Sequence, residues 1–476
     1  MIKRLTKSLS LAVGVPAILF CQDATAVVQN ALKAMGAENL KTVEYSAASG
    51  ANFAVGQAVR PDAPWPRFDF KAFQRELDLD SITMHQKMTV TRTDVRGGGL
   101  PERGEQTAEQ YLDASSAWPL QANFWLVPYG FLRGALANHA TVQTKVVRGT
   151  KYSVVTFKVQ NKYPMNGYIN QQTNLLDRVE TWLDNHVVLG DASLEGIYKD
   201  YKDFNGLKFP AKVLHRMDGF PSLEYSVAEV KANGTVNTRP PQRAGGTGNA
   251  GGGVKVEKIS DGVYYLTGTS HHSVAVEFKD HVVVVDGPLS EARSLAVMDK
   301  VKKLIPNKPI KYLVNTHQHF DHANGIRAYA AEGAVIITQE INKPYYEKKF
   351  AHPRTLAPDR LSTMKKKAVF ETVKEKKVLT DGNRSLELHL LKGSNHNDGM
   401  LIAYLPNEKV LVEADVYTPE APNGAPANPP MQTTVNLVDN LKRLNLDVDK
   451  ILALHGPGVA TATDLYRAAG ITAGTK

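Results

Sequence analysis

Residues 316–322 read THQHFDH and gather His317, His319, Asp321 and His322 directly after the apolar run Tyr312-Leu313-Val314. Alternate residues of an extended segment point the same way, so His317 and His319 can grasp one metal ion while Asp321 and His322, on the turn beyond, reach a second. Three later apolar segments lead into residues of the same kind: His396 within GSNHNDG at 393–399, Asp415 after 410–414, and His455 after 451–454. Nitrogen and carboxylate donors without sulfur suit Zn²⁺, with Fe or Mn as alternatives.

Such residues act together only if the fold brings strand ends to one place. Strands are expected at 263–266, 273–278 and 282–285, the last running into Asp286-Gly287-Pro288. A helix over 290–304 and a strand at 310–315 deliver THQHFDH; a further helix and a strand at 334–338 complete the half. After a Lys-rich insertion the theme repeats, with strands at 385–392, 400–404, 409–413 and 450–454 and a helix at 435–444. Two mixed sheets between helices would set all these strand ends along one edge, where ligands collect.

The 476 residues exceed the usual size of one domain. A boundary lies at 240–253, PPQRAGGTGNAGGG, which holds almost nothing to bury and reads as a flexible tether. Domains are therefore expected at 27–239 and 254–476, with all seven ligand candidates in the second. The first opens with a helical pattern, Val27, Val28, Ala31, Leu32 and Met35, ended by Gly36. It then turns strand-like at 152–159, 167–171, 175–183 and 222–230, with turn signals at Asn205-Gly206, Asp218-Gly219 and Asn233-Gly234. An antiparallel sheet curled about an apolar face is expected, α+β overall, and its strand rhythm loosely resembles the half-barrel of periplasmic lipoprotein-carrier domains. His85, His139, His186 and His215 lack ligand spacing and read as surface or core histidines. Trp118, Phe124, Trp125, Tyr129 and Phe131 read as core packing rather than a ligand pocket.

Lys3, Arg4 and Lys7, the apolar run 9–20 and Ala24-Thr25-Ala26 form an export signal over 1–26, so a periplasmic or secreted mature protein is expected. The run is short for a membrane span, and no stable membrane insertion is expected. Cys21, the single cysteine, offers a lipoprotein alternative, against which bulky Phe20 stands. Its removal leaves no thiol for disulfides, nucleophilic catalysis or metal ligation. A formal charge of +9 over this length, without a basic-aromatic motif, excludes nucleic acid as the expected partner.

HxHxDH at 317–322, a lone His396, Asp415 after an apolar strand and His455 before glycine resemble the metallo-β-lactamase superfamily. The resemblance covers most of 254–470 and implies an αββα sandwich, with Asp286 as the family's structural aspartate under the site. It also implies that His317, His319 and His396 hold one zinc, that Asp321, His322 and His455 hold another, and that Asp415 bridges them. Two such ions about 3.5–4 Å apart share a water and lower its pKa towards neutrality. Asp321 would both ligate metal and carry a proton. Seven ligands around two ions leave open positions, unlike the closed set of four in structural zinc, so catalysis is expected.

The reading is an exported dinuclear zinc hydrolase that cleaves an ester, thioester, lactone or related acyl bond of a small molecule with a metal-bridging hydroxide. A β-lactamase or phosphodiesterase of the same fold is the enzymatic alternative; Asp415 resembles the bridging residue of glyoxalase II, lactonases and phosphodiesterases. An apolar-ligand binding protein with an accessory metal site is the alternative of another class. Three weaker candidates complete the set. His271-His272 reads as a pair of turn histidines near the site, Tyr417 as an oxyanion donor or a packing residue, and Lys365-Lys366-Lys367 with Lys374 to Lys377 as a solvated helix face rather than an anion clamp.

Overall fold

Hairpins build the first half of the chain. Arg148-Gly149, Asn205-Gly206 and Asp218-Gly219 each join two strands by two residues with positive φ, the twist that matches paired strands. The computed structural model describes residues 23–92, 94–98, 104–183, 190–240, 253–419, 427–456 and 458–471. Residues 1–22 of the expected export signal and 241–252 of the expected tether lie outside the described residues, as does His186. Ala24-Thr25-Ala26 forms the first turn of the helix Ala24–Ala34, capped by the Asp23 carboxylate, so the expected cleavage point falls inside a helix.

Eleven antiparallel strands make one sheet. From the edge strand Glu105–Leu112 it passes through Thr83–Arg92, Arg67–Asp78 and Thr42–Phe53 to Phe220–Ala232. It then runs back through Leu207–Met217, Ala192–Phe204, Leu176–Leu183, Tyr163–Asn170 and Thr150–Val159 to Thr141–Val147. Two meanders thus meet where Thr42–Phe53 pairs with Phe220–Ala232. The helices Ala24–Ala34, Trp118–Trp125 and Pro128–Ala137 fill one face and share its core with Tyr45, Phe73, Phe157 and Phe209. Gly167 allows this approach: a Cβ there would stand 2.2 Å from the Phe131 ring. Trp118, Phe124, Trp125, Tyr129 and Phe131 are all buried in that core, so the face an apolar carrier would need is packed with side chains.

The second half is a four-layer sandwich. A seven-stranded sheet runs from Lys255–Ser260 to Phe370–Val373, and a six-stranded sheet from Lys376–Thr380 to Val459–Thr461. Their facing sides share one apolar core, with Val285, Val314 and Ile337 from the first sheet and Leu388, Val412 and Leu452 from the second. The helices Glu291–Leu304 and Ile326–Glu332 cover the first sheet's outer side, and Gln432–Leu444 with Ala462–Ala468 covers the second's. The Lys-rich segment is no helix face. Lys365 to Lys367 follow the short helix Arg360–Met364, and Lys374 to Lys377 lead from the edge strand Phe370–Val373 into the edge strand Lys376–Thr380, with Lys376 paired to Glu387 and Lys377 to Glu371. Among the described residues no helix is long and apolar enough to cross a membrane.

The halves are fastened to each other. Asp398 N donates to Val59 O at 2.7 Å and Gly97 N to Asn395 O at 2.7 Å. Lys349 pairs with Asp218 at 2.6 Å, and Asp191 accepts from Thr355 N at 2.7 Å.

Candidate metal centre

Parallel strands Val282–Val285 and Ile310–Val314 end side by side, and the residues just beyond them define the floor of the site. Asp286, fully buried with φ of 59°, accepts from Thr316 N and Thr316 Oγ1 at 2.7 Å each and faces His322 Nδ1 at 2.9 Å. That carboxylate fixes the turn and ties up Nδ1, which turns His322 Nε2 towards Asp415. Asp415 ends the corresponding strand of the second sheet with a φ of 60°.

Around Asp415 the expected ligands converge. Its Oδ2 lies 3.0 Å from His322 Nε2, 3.2 Å from His396 Nε2 and 3.6 Å from His317 Nε2, and its Oδ1 lies 3.1 Å from His455 Nδ1. His317, His319, His396 and Asp415 form one group of donor atoms within 4.8 Å of one another; His271, Asp321 and His322 form a second, and His271, Asp415 and His455 a third. Burial pushes the His317 imidazole down to about 4 and His319 well below its ordinary value, so both are neutral with a lone pair to give at pH 7. Burial would raise Asp415, but His322, His317 and His396 hold its carboxyl well below the usual range.

The donor set fits metal. His319 Nδ1 is buried and unpartnered, while His322 Nε2 and His271 Nε2 are buried and meet only the carboxylate oxygens of Asp415 and Asp321, at 3.0 Å and 3.3 Å. An unpartnered buried polar atom costs about 1–3 kcal/mol, a penalty that a coordinated ion removes. The opposite nitrogen of two of these rings is held by oxygen, His319 Nε2 by Ala58 O at 2.9 Å and His322 Nδ1 by Asp286, the usual arrangement around ligating histidines.

All seven expected ligands are thus brought together, and three partners come from elsewhere. Gln57 Nε2 donates to Asp321 Oδ1 at 3.1 Å across 264 residues of sequence. Ala58 O accepts from Gln318 Nε2 at 2.9 Å as well as facing His319. The first half therefore supplies part of the site's wall, and Gly98 leaves room for it: a Cβ there would stand 2.0 Å from Gln57 Oε1 and 2.9 Å from His319 Cε1. His271, read from sequence as a turn histidine, is 7% exposed and lies 3.3 Å from Asp321 Oδ2; its place just ahead of the strand Ser273–Glu277 is the signal that could have raised it. Tyr417 is 4% exposed within the apolar cluster that holds Val416, Leu437 and Val438.

Comparison with known proteins agrees with this geometry. Residues 266–455 match the family model described as the metallo-beta-lactamase superfamily. A linear primary-alkylsulfatase from a Pseudomonas species is 30% identical over 79 residues, 16% of this chain and 12% of that protein's length. Among solved structures, a metallo-beta-lactamase from Pontibacter korlensis matches with 19% identity and a TM-score of 0.36, over 46% of this chain and 98% of its own. One from Hirschia baltica matches with 18% identity and a TM-score of 0.35, over 46% and 97%. This chain carries, over residues 266–455, a domain of the metallo-beta-lactamase superfamily.

Proposed function

We propose that the protein is a metal-dependent hydrolase with two zinc positions, exported from the cytoplasm, that cleaves an ester, thioester or lactone bond of a small molecule. The observation that carries this is the convergence of imidazole nitrogens from four segments on the carboxylates of Asp321 and Asp415. His317, His319 and His396 would hold the first ion and Asp321, His322 and His455 the second, with Asp415 shared. Bound there, divalent ions would acidify a water and polarise the substrate oxygen.

The chain's own groups do the rest. Burial would raise Asp321, but His271 and His322 hold it well below the usual carboxylate range, so it enters the reaction ionised. With Oδ1 anchored by Gln57, it accepts the proton of the attacking water as the new bond to the acyl carbon forms. It returns that proton to the leaving oxygen or sulfur as the acyl bond breaks.

The alkylsulfatase match favours one second reading, a sulfate ester. A cleft of about 770 Å³ between the halves offers room for an apolar chain, because Trp65, Phe220 and Ile341 line it, beside Arg60 and Lys348 and the acids Asp62 and Asp218. A screen of the metal-loaded full chain against aryl esters, thioesters, lactones, alkyl sulfates, phosphodiesters and β-lactams tests both. The expected result is metal-dependent turnover of an acyl substrate; turnover of alkyl sulfates alone selects the second reading, and inactivity on every class with two ions bound overturns the function.

A further inference from the structure

We propose that His271 is a protein ligand of the second metal position, which rests on the dinuclear reading above and extends its ligand set. Its Nε2 is buried and faces only the Asp321 carboxylate, 3.3 Å from Oδ2. Two donor atoms held by one ion at about 2.1 Å stand about 3.0–3.4 Å apart at angles between octahedral and tetrahedral, so this spacing is that of ligands sharing an ion. Nδ1 on the far side of the ring lies 3.0 Å from Ser270 Oγ, which orients the imidazole as an outer partner orients a ligating histidine.

An exposed turn residue would have no such anchoring. His271 pairs with His455 in an isolated β-bridge, and their rings stack with centroids 4.2 Å apart. His272 N donates to Leu454 O at 2.9 Å, and Thr269 Oγ1 donates to His271 O at 2.6 Å, so the turn is tied on both sides of the residue. His271 is also the member common to both groupings that surround the second position, one with Asp321 and His322 and the other with Asp415 and His455.

The consequence concerns coordination number. His271, Asp321, His322, His455 and the shared Asp415 present five protein donors, one more than a four-coordinate zinc site holds. The second position would therefore be five- or six-coordinate, while the first keeps an ordinary four-donor zinc set, so the two ions should differ in geometry.

The full-length chain and His271→Ala would be stripped of metal and titrated with Co²⁺, with bound metal measured per chain and visible absorption recorded. The native chain should bind two equivalents, the second adding only the weak absorption of a five- or six-coordinate ion. The variant should keep the first equivalent, which shows that it folds, and lose affinity for the second by at least roughly 10–100-fold, the loss usual for a mere outer-shell partner. An unchanged second affinity and spectrum overturns the assignment while leaving the dinuclear reading intact. A native chain that binds fewer than two equivalents overturns both. Should the variant not fold, ring-nitrogen resonances of the native zinc protein decide: His271 Nε2 should shift with the second equivalent, and its failure to shift contradicts the proposal.

Discussion

The proposed mechanism gives Asp321 two tasks that substitution can separate. Its carboxylate stands beside His271 and His322 and receives a hydrogen bond from Gln57. Asp321→Asn should lower kcat by a factor on the order of 10²–10⁴, the range for a positioned acid–base group, with a much smaller change in KM. Gln57→Leu should leave both metals bound and lower kcat by about tenfold, since only the orientation of Asp321 is lost; steady-state kinetics beside metal analysis check both. The clustering of the seven candidate ligands was legible in the sequence because each follows an apolar strand, and strand ends gather at one edge of a sandwich. Gln57 and Ala58 were not, since nothing local marks a loop that meets its partners more than 250 residues later.

At the scale of elements, legibility followed burial. Strands Val282–Val285 and Val410–Glu413 are buried at every position; the first is an unbroken apolar run, and the second is one up to its last residue, the buried Glu413. Glu105–Leu112 is exposed along nearly its whole length and carries no alternation to read, and the helices Trp118–Trp125 and Pro128–Ala137 are apolar around most of their circumference. The sheet that those helices cover holds a pH liability. His215 is 2% exposed, and burial pushes its imidazole down to about 3, with the Arg75 cation adding to the effect. Its unfolded value is about 6.5, so as pH falls from there towards 3 the unfolded chain takes up the proton first and stability drops by up to about 1.4 kcal/mol per unit. Urea unfolding followed by tryptophan fluorescence reads this half of the chain, because Trp65, Trp118, Trp125 and Trp182 all lie in it. His215→Leu should flatten the dependence between pH 6 and 4 on the order of one kcal/mol per unit; an unchanged slope would remove His215 as its cause.

On the scale of the whole molecule, composition around 240–253 led to the expectation of two separable domains with the chemistry confined to the second. The structure carries contacts across that division, from Gln57 and Ala58 to the metal centre and from Asp191, Asp218 and Arg96 to Thr355, Lys349 and Asp398. A tether shows only that a segment buries nothing; it is silent on whether the folds it joins touch elsewhere. Residues 254–476 expressed alone should therefore bind metal more weakly by roughly 10–100-fold, because His319 loses its carbonyl partner, and should turn over substrate more slowly; equal affinity and rate would show that the first half is only an attachment. The central claim, a two-ion hydrolytic centre, is tested most directly by metal content per chain measured alongside hydrolysis during stepwise reloading of the full-length protein. Two equivalents should bind, with activity rising through the second. A single equivalent, or full activity before any metal is added, would contradict it.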